Sequence, residues 1–180
     1  MYGMVNRGIE ELVVKEQGLA AWEDVKRSSG VEVDIFISND SYPDKLTYLL
    51  VGAASERLGI SLQEFLRRFG IHWVMTTAKD NYQDLLCLGG ASLLEFLVNL
   101  PKLHERISVF LPHLDPPTFS CSDVTDHSLR LHYYSHRLGL THFVEGLILG
   151  LGLYFQTPVE VSIAAEKAAG ADHDEFLIRW

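Results

Sequence analysis

The chain has 180 residues, of which 47% are apolar and 22% charged, a composition typical of a globular protein with room for one sizeable core. Its 24 acidic and 15 basic side chains give a formal net charge of −9 at pH 7, and no basic stripe offsets it, which argues against nucleic-acid binding. Two cysteines, Cys87 and Cys121, form no disulfide framework and favour a reducing, cytoplasmic location. We expect no signal peptide, and no membrane span either, since the most apolar stretch, 146–155, is short.

The first part of the chain is predicted to be helical. Apolar residues recur at helical spacing over 4–17 and 19–27, with Gly18 between the two segments. Asp44 is placed as the N-cap of a third helix, which Gly59 should close.

Two capping-box patterns predict further helix starts, Ser-Leu-Gln-Glu at 61–64 and Ser-Leu-Leu-Glu at 92–95. The first helix is expected to stop at Gly70. In the second, Pro101 either ends the helix or begins a new turn.

The character of the sequence changes beyond the Asp-Pro-Pro at 115–117. Alternating apolar residues predict strands, and Thr141 is expected to cap a helix whose glycines, Gly146, Gly150 and Gly152, suit close packing against another backbone. The predicted segments are a hairpin of 118–124 and 129–137, a helix over 143–155, and strands at 159–163 and 176–178. Helices followed by an antiparallel sheet with a packed helix define an α+β fold.

The strand candidate 129–137 carries a chemical gradient. If it is extended, Leu129, Leu131, Tyr133, Ser135 and Arg137 share one face, because successive side chains alternate. Two apolar groups followed by a phenol, a hydroxyl and a guanidinium suit a ligand with an apolar body and carboxylates, such as haem with its propionates. A strand whose polar end simply reaches solvent has the same pattern.

His104 shares a helical stripe with Leu100, Leu103 and Ile107. An imidazole on an apolar stripe needs a partner for its lone pair, and haem iron would be one. A core histidine bonded to a backbone carbonyl is the alternative.

The other histidines of the strand region are interpreted as surface residues. His132 and His136 lie on the opposite face from Tyr133 and are read as a solvated strand face, and the His-Asp-Glu at 173–175 as surface. No Cys-x-x-Cys or His-Glu-x-x-His zinc motif is present in the sequence.

Four segments in this order resemble the H-NOX family, the haem nitric oxide/oxygen-binding domains: residues 1–6, 103–105, 116–119 and 131–137. The resemblance covers the whole chain and implies one H-NOX domain over 1–180, with a helical subdomain about 1–60 and a haem-clamping subdomain about 61–180.

The resemblance also implies the site. His104 matches the iron ligand of haem b, and Tyr133, Ser135 and Arg137 match the residues that hold the propionates. Pro117 matches the proline that presses on the macrocycle, and Asp44 an acidic residue that supports the arginine in some relatives. The matched positions of the distal gas pocket are Tyr2, Val5, Trp73, Phe143 and Leu147.

Phe143 stands where oxygen-binding relatives present a tyrosine hydroxyl, so the resemblance implies a sensor of NO, also binding CO, that discriminates against oxygen. Trp73 and His142 carry N–H donors that would instead favour an oxygen-binding member. Weakening of the iron–His104 bond and a subdomain shift would be the signal. The domain is not expected to be an enzyme itself, and its partner would be a histidine kinase or a cyclic-di-GMP enzyme, or a further part of a longer chain. A pocket module without haem is the remaining alternative.

Overall fold

A computed structural model describes residues 1–110 and 116–180, and for residues 85 and 107–110 it describes the backbone alone. The predicted place of the Ile107 side chain in the His104 stripe therefore lies outside the described residues. The chain divides into two compact units, Met1–Phe69 and Gly70–Trp180. Among the described residues, no helix has the length and apolar character needed to cross a membrane.

The first unit is a helical bundle. Three helices pack against one another, and Ile9, Trp22, Leu50 and Phe65 are almost wholly buried. These helices and the one that follows are α1 (Gly3–Gln17), α2 (Leu19–Ser29), α3 (Asp44–Leu58) and α4 (Leu62–His72). The two helices predicted on either side of Gly18 are thereby confirmed.

The start of α3 differs from the prediction. Pro43 occupies the N-cap position, and Asp44 is already the first helical residue, so Asp44 is not the N-cap. Its carboxylate accepts a hydrogen bond from the amino group of Met1. The negative charge of Asp44 in the first turn also interacts favourably with the helix dipole. The predicted end is confirmed, because Gly59 has the left-handed φ of 68° that glycine adopts without steric cost.

The second unit begins with further helical segments. They are the end of α4, a π-helical segment (Trp73–Ala78), α5 (Lys79–Asn81), α6 (Gln83–Gly89), α7 (Leu93–Phe110) and, later in the chain, α8 (Thr141–Tyr154). Both predicted capping boxes are confirmed at their serines: Ser61 Oγ accepts the Glu64 N–H at 3.1 Å, and Ser92 Oγ accepts the Glu95 N–H at 3.3 Å. Pro101 lies inside α7, which is one continuous helix.

Gly70 does not end α4, as the sequence predicted, because its role is steric. A Cβ at Gly70 would lie 2.3 Å from the carbonyl oxygen of Phe143 and 2.6 Å from the backbone nitrogen of Leu147. The absence of a side chain at Gly70 therefore allows its backbone to approach the backbone of α8 directly.

An antiparallel sheet completes the second unit. Its strands are β1 (Thr118–Ser122), β2 (Ser128–Tyr134), β3 (Glu160–Ala165) and β4 (Asp174–Arg179), in the order β1-β2-β4-β3. The predicted hairpin, the later strands and the α+β class are confirmed. Leu131 and Phe176 face each other in the β2–β4 register and are buried in the core. Thr141 is not the N-cap of α8, which is Leu140; the Thr141 hydroxyl donates to Asp174 instead, at 3.1 Å.

Candidate haem-binding site

The helix α7 places the His104 imidazole against β1. The ring centroid lies 5.0 Å from that of Phe119, and Nδ1 lies 3.0 Å from the carbonyl oxygen of Leu100, one helical turn earlier. Because a carbonyl only accepts, Nδ1 carries the proton in this bond, which leaves the ring's lone pair on Nε2.

Burial lowers the pKa of His104, and the hydrogen bond to the Leu100 carbonyl partly opposes this shift. The larger effect, burial, favours the neutral imidazole, which is the form that binds a metal. A hydrogen bond to a backbone carbonyl is expected for a core histidine. A metal-bound histidine usually makes the same bond through the ring nitrogen that does not bind the metal. The donor chemistry of His104 therefore fits an iron ligand.

An aromatic row continues from His104 into the sheet. Phe119 pairs with Tyr133 across β1 and β2, with their ring centroids 5.3 Å apart. Both rings are buried, which gives His104 an apolar wall on this side. The sequence patterns did not single out Phe119 as a site residue, although its register opposite Tyr133 follows once the hairpin is aligned.

The proposed propionate residues do not all lie on one strand. β2 ends at Tyr134, so the prediction of a strand through Arg137 is wrong. Beyond the strand, the Ser135 hydroxyl accepts the Arg137 backbone N–H at 3.1 Å, and the Ser135 carbonyl accepts the Lys167 ammonium at 2.6 Å. Through these two bonds the chain after Tyr134 forms a bend and no longer pairs with a neighbouring strand of the sheet. Ser135 and Arg137 are half-buried, as is Pro117 immediately before β1.

The predicted distal residues of the second unit lie on elements that pack backbone to backbone. Trp73 belongs to the π-helical segment, and Phe143 and Leu147 to α8. Gly70 approaches α8 at Phe143 and Leu147, and a Cβ at Gly150 would lie 2.9 Å from the Val74 Cβ. The prediction of close packing is confirmed for Gly150 and also for Gly152, where a Cβ would lie 2.8 Å from a Val159 methyl carbon and 2.9 Å from the Thr157 carbonyl oxygen. All three predicted pocket side chains are half-buried.

His142 has a partner within its own helix. Its Nδ1 lies 2.9 Å from the Glu145 carboxylate, one turn later in α8. The structure thus assigns one nitrogen of this possible donor to a neighbouring side chain.

The remaining predicted site residues belong to the first unit. Tyr2 is buried and forms a β-bridge with Ser41, and Val5 is half-buried in α1. Asp44 lies at the start of α3 beside the Met1 amino group. Their roles toward a haem stay predictions.

The second unit thus places the His104 imidazole of α7 against the Phe119 ring, beside a four-stranded antiparallel sheet. A family model described as "Haem-NO-binding" matches residues 2–163. The chain therefore belongs to the Haem-NO-binding, or H-NOX, family, and the resemblance read from its motifs is confirmed.

Curated relatives and solved structures agree with this membership. The chain is 30% identical over 164 residues to soluble guanylate cyclase gcy-31 of Caenorhabditis elegans, covering 91% of this chain and 23% of the relative. It is 30% identical over 123 residues to the guanylate cyclase soluble subunit beta-2 of Rattus norvegicus, covering 65% of this chain and 18% of the relative. The chain thus spans about a fifth of the length of these relatives.

Two solved structures share the fold. An H-NOX protein from S. oneidensis in the Fe(II)NO ligation state superposes with a TM-score of 0.90 at 20% identity, covering 99% of this chain and 98% of that one. The Fe(II) unliganded H-NOX protein from K. algicida gives a TM-score of 0.85 at 22% identity, covering 99% of this chain and 96% of that one.

Proposed function

We propose that this chain senses nitric oxide through haem b, with His104 as the iron ligand. The observation that carries the proposal is the family match over residues 2–163, with which the His104 ring is compatible: Nδ1–H bonds to the Leu100 carbonyl, the lone pair is on Nε2, and the Phe119 ring forms one wall. When bound, the haem supplies the ferrous iron that takes NO or CO as a ligand.

Three side chains are proposed to hold the propionates, the Tyr133 phenol, the Ser135 hydroxyl and the Arg137 guanidinium. A planar guanidinium binds a carboxylate through two parallel hydrogen bonds, and hydroxyls satisfy the remaining lone pairs. Pro117, next to the Phe119 wall, is proposed to press on the macrocycle.

Selectivity for NO over oxygen is proposed to follow from Phe143. Bound oxygen takes on negative charge and profits from a hydrogen-bond donor, which a phenyl ring lacks, whereas NO depends on a donor far less. His142 directs one nitrogen to Glu145, which supports the same assignment. The Trp73 indole N–H is the feature that would favour oxygen binding.

The response is proposed to pass through α7. Pro101 has no N–H to bond the Leu97 carbonyl, and the Cys121 thiol of β1 lies 3.5 Å from that carbonyl oxygen as a donor. Burial raises the pKa of Cys121, which keeps the thiol protonated. Weakening of the bond to His104 would release α7 to move against β1 at this contact, and the subdomain shift that the family resemblance implies is part of the same proposal.

The relatives' names support a wider role. We propose that the domain is sensory and not itself catalytic, that it works in the cytoplasm, and that it reports to a signalling enzyme. A histidine kinase or a cyclic-di-GMP enzyme are the partners that the family resemblance implies, and a guanylate cyclase is the one that the curated relatives suggest.

The test is the absorption spectrum of the haem-loaded protein, reduced without air and then given NO or air. We expect a five-coordinate ferrous spectrum that changes with NO and forms no stable oxygen complex. His104→Gly should lose the His-ligated ferrous spectrum and the gas-linked change, while its far-UV circular dichroism stays that of the wild type.

Phe143→Tyr is the matched variant for selectivity, since it adds only a hydroxyl, and it should gain a more stable oxygen complex. A stable oxygen complex in the wild type would contradict NO selectivity and leave the family intact. An unchanged spectrum in His104→Gly would contradict the ligand assignment, and failure of the wild type to bind added haem would favour a pocket module without haem.

A further inference from the structure

The outer face of the sheet, opposite the core, carries a second cluster of metal-binding groups. His132 of β2, His173 just before β4 and Glu175 of β4 present one ligand atom each, all within 4.8 Å of one another. The side chains of His132, His173 and Glu175 are only 17%, 15% and 20% exposed. The sequence interpretation of His132 as part of a solvated face is therefore wrong, because the loop before β4 folds His173 over it.

The spacing of the three ligand atoms suits one small ion. Nδ1 of His132 lies 2.9 Å from Nε2 of His173 and 3.9 Å from a carboxylate oxygen of Glu175. Two ligand atoms of a tetrahedral zinc ion lie about 3.3 Å apart, given metal–ligand bonds of about 2.0–2.1 Å. These two distances lie on either side of that value, and the third pair of ligand atoms lies within 4.8 Å, so side-chain rotation is needed to close the three atoms around one ion.

The hydrogen bonds around the cluster orient both rings for metal binding. His173 Nδ1 lies 2.6 Å from the Asp172 carboxylate and therefore carries a proton, which leaves the lone pair on Nε2. With that lone pair accepting, the proton between the rings belongs to His132 Nδ1. His132 Nε2 lies 2.8 Å from the Ser122 hydroxyl, which can donate or accept.

A metal ion can take the place of that one proton. His132 would then bind the ion through Nδ1 and donate its Nε2–H to the Ser122 hydroxyl. His173 would bind the ion through Nε2 and donate its Nδ1–H to the Asp172 carboxylate. A carboxylate or hydroxyl on the outer nitrogen is the usual second contact of a metal-bound histidine.

The third ligand and the local charge complete the arrangement. Arg130 bonds the other oxygen of Glu175, which leaves Oε2 as the oxygen nearer His132. Arg130 also pairs with Asp123 at 2.8 Å. Glu175, Asp172 and Asp123 against the single charge of Arg130 leave the cluster net negative, which attracts a cation. The Tyr134 ring stacks on the His173 ring with the two centroids 4.3 Å apart, and this contact limits rotation of the His173 ring.

We propose that His132, His173 and Glu175 bind one divalent transition-metal ion, zinc in particular, with a fourth position for water. Two imidazoles and one carboxylate are a donor set that zinc accepts in tetrahedral geometry, whereas magnesium and calcium prefer oxygen ligands alone. The ion would tie β2 to the start of β4 and is independent of any haem bound at His104.

The test is equilibrium dialysis of the tag-free full chain against zinc chloride, with the bound metal counted by elemental analysis so that haem colour does not interfere. The wild type should hold one zinc per chain. His132→Ala and His173→Ala should lose it, whereas the control His127→Ala, a change at an exposed histidine on the loop between β1 and β2, should retain it.

Two further measurements keep the test decisive if a ligand variant folds poorly. Asp172→Asn changes a side chain that is 84% exposed and should weaken zinc binding by about tenfold through loss of the outer-nitrogen carboxylate. Zinc-edge X-ray absorption should show two imidazoles coordinated to the ion. Zinc content equal in the wild type, His132→Ala and His173→Ala, or a coordination sphere without imidazole, would overturn the proposal.

Discussion

The imidazole of His104 shows how one side chain depends on its immediate neighbours. Its Nδ1–H is bonded to the Leu100 carbonyl, its face contacts Phe119, and burial lowers its pKa. The two alternatives that the sequence left open, an iron ligand and a core histidine, share this carbonyl bond. The bond therefore favours neither alone, and the ligand assignment depends on the family pattern together with the neutral ring.

The lowered pKa of His104 predicts a stability that falls in acid. At pH above the ordinary value of 6.5 the ring is neutral in both the folded and unfolded states. As the pH falls below it, the unfolded chain takes up the proton first, so the free energy of unfolding decreases until the lower folded pKa is reached. Urea denaturation of the haem-free wild type and of haem-free His104→Leu at pH 7 and pH 5 measures this. The wild type should lose more stability than the variant, and equal losses would contradict the prediction.

Arg137 supplies the charge-assisted hydrogen bonds among the three contacts proposed for the propionates. Removal of a charge-assisted hydrogen bond costs about 1.5–3 kcal/mol, so Arg137→Ala should release haem at least about tenfold faster. Transfer of haem to an excess of apomyoglobin, followed by absorbance, measures the rate. Arg27→Ala is the control, because the Arg27 side chain is 76% exposed and lies in the first unit. Equal rates in the wild type and Arg137→Ala would contradict the propionate assignment.

At the scale of elements, close backbone packing positions the predicted distal residues. The end of α4 and the π-helical segment approach α8 through Gly70 and Gly150, which place Trp73, Phe143 and Leu147 on adjoining segments. A methyl group at Gly70 would push the end of α4 and α8 apart, and this would displace Trp73, Phe143 and Leu147. Gly70 is thus a packing residue of the site region, although it contributes no side chain.

Gly70→Ala should lower the free energy of unfolding by about 1–3 kcal/mol, because the new Cβ meets backbone atoms of α8 that cannot rotate away. Gly52→Ala in α3 is the matched control: among the described residues, no atom beyond its chain neighbours and its own helix backbone lies within 4 Å of the new Cβ, so the gain in helix propensity should stabilise the protein by about 0.5–1 kcal/mol. Urea denaturation measures both. A stabilised Gly70→Ala protein would contradict the close contact.

The whole molecule consists of two units that each have a core. Trp22 is 2% exposed in the core of Met1–Phe69, and Phe176 is fully buried in the core of Gly70–Trp180. Separate cores allow separate opening, because the stability of a region depends on the apolar contacts inside it. The predicted subdomain division near residue 60 stays a prediction, and the following experiment tests whether the two units open separately.

Trp22→Ala should destabilise the first unit by about 3–5 kcal/mol, since it leaves a large cavity in a small core. Hydrogen exchange followed by mass spectrometry should then show lost protection in residues 1–69 and near-normal protection in the strands β1 to β4. Phe176→Ala should give the reverse pattern. Uniform loss of protection across the chain in either variant would show that the two units open together.

Patterns of short range determined much of this protein from the sequence alone. Helical periodicity, the two capping-box serines and the alternation in the strands depend on neighbours a few residues apart, so they predicted α1, α2, the sheet and the α+β class. The ordered motifs that include His104 and Tyr133 were sufficient to recognise the family.

Contacts between residues far apart in the sequence decided the rest. The sequence predicts a helix stop at Gly70, but in the fold Gly70 lets α8 pack closely. The sequence predicts an N-cap at Thr141, but the Thr141 hydroxyl donates to Asp174, 33 residues later. His132 resembled a solvated residue until the fold placed His173 beside it. Local patterns cannot predict these outcomes, because each depends on which distant group the fold brings within bonding distance.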